Sequence, residues 1–264
     1  MNTLIHYLEI YRVQLKNNFV REAVYRTNFL TTLFVDFIWI VVEFSLFTVI
    51  YANTTTLGGW TQPQIFFFLG VFFSSDALFT VFFQRNFWVF SDLVNKGELD
   101  ILLTKPTSPV FLALTRSINI TAIFNVVLGV LIMIKYAGPA GFAGGLAWFK
   151  VPVWLTVGLF TALHIRFFSS VWVFWTDRSW AFTHLYYQFF NFASKPDTIY
   201  PKAIRFLLRT ALPFAFIGSV PARALLDGLS TTEELGVAAV LCAFFAANGI
   251  LWNLGLRRYQ SASS

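Results

Sequence analysis

The chain has 264 residues, 57% of them hydrophobic and 19% aromatic, with a formal net charge of +6. Only 12% are charged, against roughly 25% in soluble domains, which excludes a water-soluble enzyme, a disordered chain and a disulfide scaffold. The 33 Phe and 9 Trp exceed what a cytosolic core of this size can hide. The composition therefore reads as an all-α integral membrane protein.

Residues 1–28 are too polar to span. Leu4, Leu8, Tyr11, Leu15 and Phe19 recur at helical intervals, with Arg12, Lys16, Arg21 and Arg26 off that stripe. This pattern predicts an amphipathic helix lying in the membrane surface, its cations toward anionic headgroups; an ordinary solvated helix end is the plainer alternative. No basic-apolar-small signal order precedes it, so the first span is expected to direct insertion.

Span one is predicted at about Phe29–Ile50. Its fifteen Leu, Ile, Val and Phe residues contribute about −4.5 to −9 kcal/mol, whereas Asp36 and Glu43 near its centre cost about +5 to +7 kcal/mol. Insertion is then marginal. The two acids are seven apart and share a helical face, which should look at protein or water rather than lipid. A short polar loop at Ala52–Pro63 leads to span two, about Gln64–Phe83, which contains Asp76. Phe66-Phe67-Phe68 and Phe72-Phe73 are expected on its lipid-facing surface.

Residues 84–109 form a polar interval with a predicted helix at 85–96, ended by Gly97. Span three is predicted at about Val110–Ile134, the loop at Lys135–Lys150, and span four at about Val151–Trp175 with His164 and Arg166 inside it. A polar turn at 176–179 precedes a just-sufficient span five, Ser179–Ser194. Residues 195–234 are apolar yet broken by Pro213 and Pro221, and carry Arg205, Arg209 and Arg223. Such interrupted helices are tolerated at membrane depth only against protein or water. Span six is about Leu235–Leu256. Placing both termini, 84–116 and 176–178 inside puts eleven Lys and Arg there against seven outside, a weak positive-inside signal. Moving span five to about Thr210–Leu226 would improve this to fifteen against three.

Four features carry a family resemblance. They are Lys96-Gly97-Glu98-Leu99-Asp100-Ile101-Leu102-Leu103-Thr104-Lys105-Pro106, Phe174-Trp175-Thr176-Asp177-Arg178, the run from Ile199-Tyr200-Pro201 to Val220-Pro221-Ala222, and Arg257-Arg258-Tyr259. With the interfacial helix they resemble, over nearly the whole chain, the membrane subunit of ABC-2 type ATP-binding-cassette exporters, in the branch of small stand-alone permeases. The resemblance implies a single transmembrane domain over 1–264 with six spans, an N-terminal interfacial helix, a cytoplasmic coupling helix in 84–109 and an extracytoplasmic re-entrant hairpin in 195–234. It favours span five at Ser179–Ser194 over the charge count. It also implies a multi-pass protein of the cell inner membrane with both termini cytoplasmic. Its partners would be a separate ATP-binding subunit (two copies), which holds the ATP and Mg²⁺, and a second permease forming a homo- or heterodimer.

On that basis Phe87, Trp88, Asp92, Lys96, Gly97, Glu98 and Asp100 are candidate contacts with the ATPase partner, Phe90 and Leu93 joining the apolar anchor. A solvated turn touching headgroups is the alternative. Asp36, Glu43, Asp76 and Arg166 are candidates for a translocation pathway or for interhelical ion pairs, Arg166 with one of the acids. His164 and the asparagines Asn119, Asn125, Asn191 and Asn248 read as packing hydrogen-bonders. Lys195, Lys202, Arg205 and Arg209 could guide an anionic group or anchor in headgroups. Cys242 is the single cysteine, and the three histidines His6, His164 and His184 lie on separate segments. No phosphate loop, His-Glu-x-x-His or Cys-x-x-Cys occurs, so no catalytic residue, metal site or own cofactor is expected. The dispersed cations argue against nucleic acid as a partner. Competing functional readings are a proton-coupled secondary transporter using the three acids, an intramembrane enzyme and a membrane assembly factor.

Overall fold

The computed structural model describes residues 3–24, 26–176 and 180–260, all helical or irregular apart from one isolated bridge between Leu57 and Trp60. The helices in chain order are α1 (Thr3–Val24), α2 (Arg26–Tyr51), α3 (Gln62–Phe79), α4 (Arg85–Trp88), α5 (Phe90–Asn95), α6 (Leu99–Leu103), α7 (Pro109–Thr115), α8 (Ile123–Ala140), α9 (Lys150–Ser170), α10 (Trp180–Phe190), α11 (Lys202–Arg209), α12 (Ser219–Leu226) and α13 (Thr231–Arg258). Among the described residues, five stretches are long and apolar enough to cross a bilayer: Phe29–Tyr51, Gln62–Asn95, Ile123–Ala140, Gly145–Phe174 and Thr231–Arg258. Residues 177–179 of the polar turn expected at 176–179, and the tail at 261–264, lie outside the described residues.

The central element is the 34-residue stretch Gln62–Asn95. The Gln64 side chain accepts a hydrogen bond from the Thr61 backbone N–H at 2.9 Å, and Pro63 sits in the first turn, where no intrahelical donor is needed. The stretch runs as α3, a π-helical turn at Thr80–Gln84, then α4 and α5. Its phenylalanines overturn the lipid-facing expectation: Phe66, Phe67, Phe68, Phe72 and Phe73 are all buried. A helix apolar on every side suits either lipid or a protein interior, and small residues decide between them. A Cβ added at Gly70 would lie 2.8 Å from the Met133 backbone nitrogen and 2.9 Å from the Gly129 carbonyl. One added at Gly158 would lie 2.7 Å from Ser75 Cβ and 2.8 Å from the Ile217 carbonyl. Thus α8 and α9 close on α3 through Gly and Ser, the usual way membrane helices approach. Exposed apolar surface lies instead on α2, α8 and α13 among others, with Phe34, Trp39, Val49, Val127, Leu131, Phe245 and Ile250 all outward.

Span three is displaced from its expected 110–134. Helix α7 stops at Thr115, residues 116–122 are irregular, and the crossing helix is α8. The break is held by Asn86, which is fully buried. Its Oδ1 accepts from the Ser117 N–H at 2.9 Å and its Nδ2 donates to the Ser117 carbonyl at 2.8 Å. The Asn119 N–H bonds the Val81 carbonyl at 2.9 Å. One amide thereby satisfies backbone groups that a continuous helix would have paired internally. Helix α8 then runs into the expected loop as far as Ala140 and ends at Gly141, in the left-handed conformation at φ +87°.

The helix at the expected span five, Ser179–Ser194, is short among the described residues. Helix α10 has 11 residues, about 16 Å of rise, against a hydrocarbon core of about 30 Å; residues 191–194 turn. Beyond it α11, a 3₁₀ turn at Phe214–Phe216 and α12 pack back onto the bundle, with Gly218 beside Phe72 and Phe68. No continuous helix covers 210–226, so the charge-based alternative fails too. Pro213 lies in the break, but Pro221 falls in the first turn of α12 and opens that helix rather than breaking it.

Helix α1 packs along α7 at the same end of the bundle as α4–α6. His6 lies 3.3 Å from Thr107 Oγ1, Tyr7 accepts from the Ser108 N–H at 3.2 Å, and Asn18 donates to the Arg116 carbonyl at 3.3 Å. Tyr11 and Leu15 of the expected stripe face inward, while Leu8 and Phe19 are exposed. The C-terminal part of α13 is at this end too, its Trp252 ring 6.3 Å from Phe90.

Candidate functional site

Helices α4–α6 close one end of the bundle and split the expected anchor residues in two. Phe87, Phe90 and Leu93 are buried in the chain's own core, Phe90 against Phe167 and Trp252 at 6.2 and 6.3 Å. They are not free to meet a partner, because the chain's own aromatic side chains already cover them. Trp88, 62% exposed, lies outside that core, and Val89, Ile101 and Leu103 are exposed as well. The charged residues of the same segment, Asp92, Lys96, Glu98 and Lys105, are also exposed. Lys96 Nζ meets Asp92 Oδ2 at 2.9 Å, and this hydrogen bond, with the Asp92 charge, holds the ammonium above its usual range. Gly97 ends the segment at φ +74°, which a side chain would resist, and Asp100 is half-buried beside it. Leu99 and Leu102 plug α6 into the core.

The four intramembrane charges part company. Asp36 and Asp76 line one cavity of about 140 Å³ together with Thr80, Asn125, Asn191 and Ser194, between α2, α3, α8 and the end of α10. Asn125 Nδ2 donates to Asp36 Oδ2 at 2.6 Å, so this asparagine does more than pack. Glu43, on the same face of α2, is buried and sits 3.9 Å from Lys195. Arg166 does not pair with any acid among the described residues. It is 1% exposed, and its guanidinium lies over the rings of Tyr186, Tyr187 and Phe87 at 4.9, 5.3 and 5.8 Å. Each such contact is worth about 0.5–2 kcal/mol. Its Nε and Nη1 have no hydrogen-bond partner.

At the opposite end the expected anion-guiding cations are mostly engaged internally. Asp197, 2% exposed, accepts from Arg209 Nε at 2.5 Å and from the Ser219 hydroxyl, while its own N–H donates to Ser219 Oγ at 3.1 Å. Arg205 donates to the Thr198 carbonyl at 2.6 Å, and Trp60 Nε1 reaches Thr198 Oγ1 at 2.9 Å. A buried aspartate thus clasps α11 to α12, and its neighbour Thr198 ties the 52–61 loop to them. His164 is the interhelical hydrogen-bonder expected: Asn248 Nδ2 lies 3.2 Å from its Nδ1 and 3.0 Å from its carbonyl. Sequence patterns alone pass over Asn86, Asp197 and Tyr187. An asparagine or aspartate next to polar neighbours looks like loop until its backbone partners are placed.

Apolar helices of crossing length, an apolar exterior and acids lining a partly open recess define a polytopic α-helical membrane protein. The profile described as ABC-2 family transporter protein matches residues 37–263. The chain therefore belongs to the ABC-2 transporter family and is a membrane-embedded permease component, not itself catalytic. No curated protein and no solved structure matches it.

Proposed function

We propose that the chain is the permease subunit of an ATP-driven exporter of the cell inner membrane, working by alternating access. A separate ATP-binding subunit, holding ATP and Mg²⁺, docks on the face made by Trp88, Val89, Asp92, Lys96, Glu98, Ile101 and Leu103. Gly97 and Asp100 set the turn beneath that face. Two such subunits serve two permeases, since one chain of this size encloses only a small cavity. Both termini and 84–116 are cytoplasmic, α1 lies in the interface, and α10 with residues 191–226 completes a sixth crossing by a broken, re-entrant route. Asp36 and Asp76 line the pathway, with Glu43–Lys195 as a tie beside it.

The observation that carries this reading is the set of exposed apolar and charged residues at 88–105. In a member of the ABC-2 family, an exposed tryptophan and exposed charges stand on the short helices that follow the most deeply buried helix of the bundle. Aromatic anchors with polar rims are what partner interfaces present. A rigid, buried helix beneath the patch can carry a push inward. The test is co-expression with the ATP-binding subunit. Trp88→Ala and Asp92→Lys should leave insertion normal and weaken co-purification and transport-linked hydrolysis. Unchanged binding and coupling in both variants would refute the docking face.

A further inference from the structure

Arg166 is the most expensive side chain in the bundle, and the docking face does not explain it. It lies in the last turns of α9, buried, with two N–H groups unpartnered and aromatic faces where an acid would be expected. A charge held this way within a membrane segment marks function by default. What distinguishes this one is the identity of the three rings. Phe87 belongs to α4, immediately before Trp88 of the exposed patch. Tyr186 and Tyr187 belong to α10. The Tyr187 hydroxyl in turn accepts from Gln84 Nε2 at 3.0 Å and from Trp88 Nε1 at 3.2 Å. Helix α10 leads straight to the cavity: Tyr186 stacks on Phe190 at 5.7 Å, and Phe190, Asn191 and Ser194 line the space shared by Asp36 and Asp76.

We infer that Arg166 is a positioning residue that clamps α4 to α10, so that movement of the 88–103 face is delivered to the wall of the Asp36/Asp76 cavity. The clamp needs a cation rather than a specific hydrogen bond, because its partners are ring faces. The attraction is weakly directional, so the rings can slide under the guanidinium without the contact being lost. The steric alternative, an arginine that merely fills space, predicts that an uncharged side chain of similar length would do as well. The delivery of a nucleotide-driven push rests on the exporter reading; the clamp itself does not.

Spin labels test both separately. In a Cys242→Ser background, Val89→Cys and Leu185→Cys place labels on the α4–α5 junction and on α10, both at exposed positions. Val127→Cys and Val153→Cys on α8 and α9 form the control pair. With the permease alone in lipid nanodiscs, the 89–185 pair should give one narrow distance distribution. Arg166→Met should lose that single distance, Arg166→Lys should keep it, and the control pair should not change in either. Should Arg166→Met not fold, Tyr187→Leu, which removes a ring face from under the guanidinium, should still broaden the distance, whereas Tyr187→Phe, which keeps the ring and deletes only the bonds to Gln84 and Trp88, should keep it. A wild-type distribution in Arg166→Met or in Tyr187→Leu, or equal loosening of the control pair, overturns the clamp. In a second arm the ATP-binding subunit and trapped nucleotide are added, and labels at 185 and 127 report α10 against α8. The distance should shift in the parent and stay fixed in Arg166→Met. A parent that does not shift sinks the exporter reading and leaves the first arm's result for the clamp intact; a shift in Arg166→Met as large as the parent's sinks the transmission role.

Discussion

Replacing Asp197 by alanine should measure how firmly the segment 195–226 is held. Its carboxylate is 3% exposed and meets an Arg209 side chain that is 26% exposed, at 2.5 Å. A charge-assisted hydrogen bond of this kind contributes about 1.5–3 kcal/mol, and the residual exposure of Arg209 puts it in the lower half of that range. The Ser219 hydroxyl, fully enclosed, would lose its acceptor at a further cost of about 1 kcal/mol. Asp197→Ala should therefore destabilise the protein by about 3 kcal/mol, and Asp197→Asn, which keeps an acceptor for Ser219, by about half as much. The assay is equilibrium unfolding in mixed micelles by SDS titration, followed by tryptophan fluorescence. Arg209→Met combined with Asp197→Ala should cost less than the two singles together, with a coupling of about 1–2 kcal/mol. A loss below about 0.5 kcal/mol, or strict additivity, would refute the clasp.

The two faces of the α4–α5 segment should respond oppositely. Phe90→Ala empties a packed site and should cost about 3–5 kcal/mol of stability; Trp88→Ala should cost under about 1 kcal/mol while losing the ATPase contact. Equal destabilisation in the same SDS titration would mean Trp88 is core. At the α3–α8 crossing, Gly129→Val should cost at least about 3 kcal/mol, because overpacking here meets backbone and Ser74 rather than a flexible side-chain end. A stable, well-folded Gly129→Val would show that the helices do not touch there.

Much of this architecture is legible in the chain. Long apolar runs announce α2, α3, α9 and α13, and Gly97 marks the end of the 85–96 segment. Less legible is what each run faces. The phenylalanines of α3 satisfy lipid and protein equally, and only Gly70, Gly129 and Gly158 reveal that other helices come close. The displaced third crossing depends on Asn86, whose two bonds to the Ser117 backbone reach 31 positions along the chain. Sequence reasoning makes Arg166 one half of an ion pair because it looks for opposite charge. The structure offers it π-faces from three positions on two other helices, which no spacing rule brings together. Pro221 misleads for a local reason: the same residue type breaks a helix interior and opens a first turn.

The proposed coupling depends on where residues 88–103 lie and what covers them. Single cysteines at Val89 and Ile101, in the Cys242→Ser background, can be labelled with a membrane-impermeant thiol reagent in inside-out and right-side-out vesicles. Labelling should occur only in inside-out vesicles and be blocked when the ATP-binding subunit is bound. Labelling from the outer face, or labelling that the bound subunit leaves unchanged, would contradict a cytoplasmic docking face.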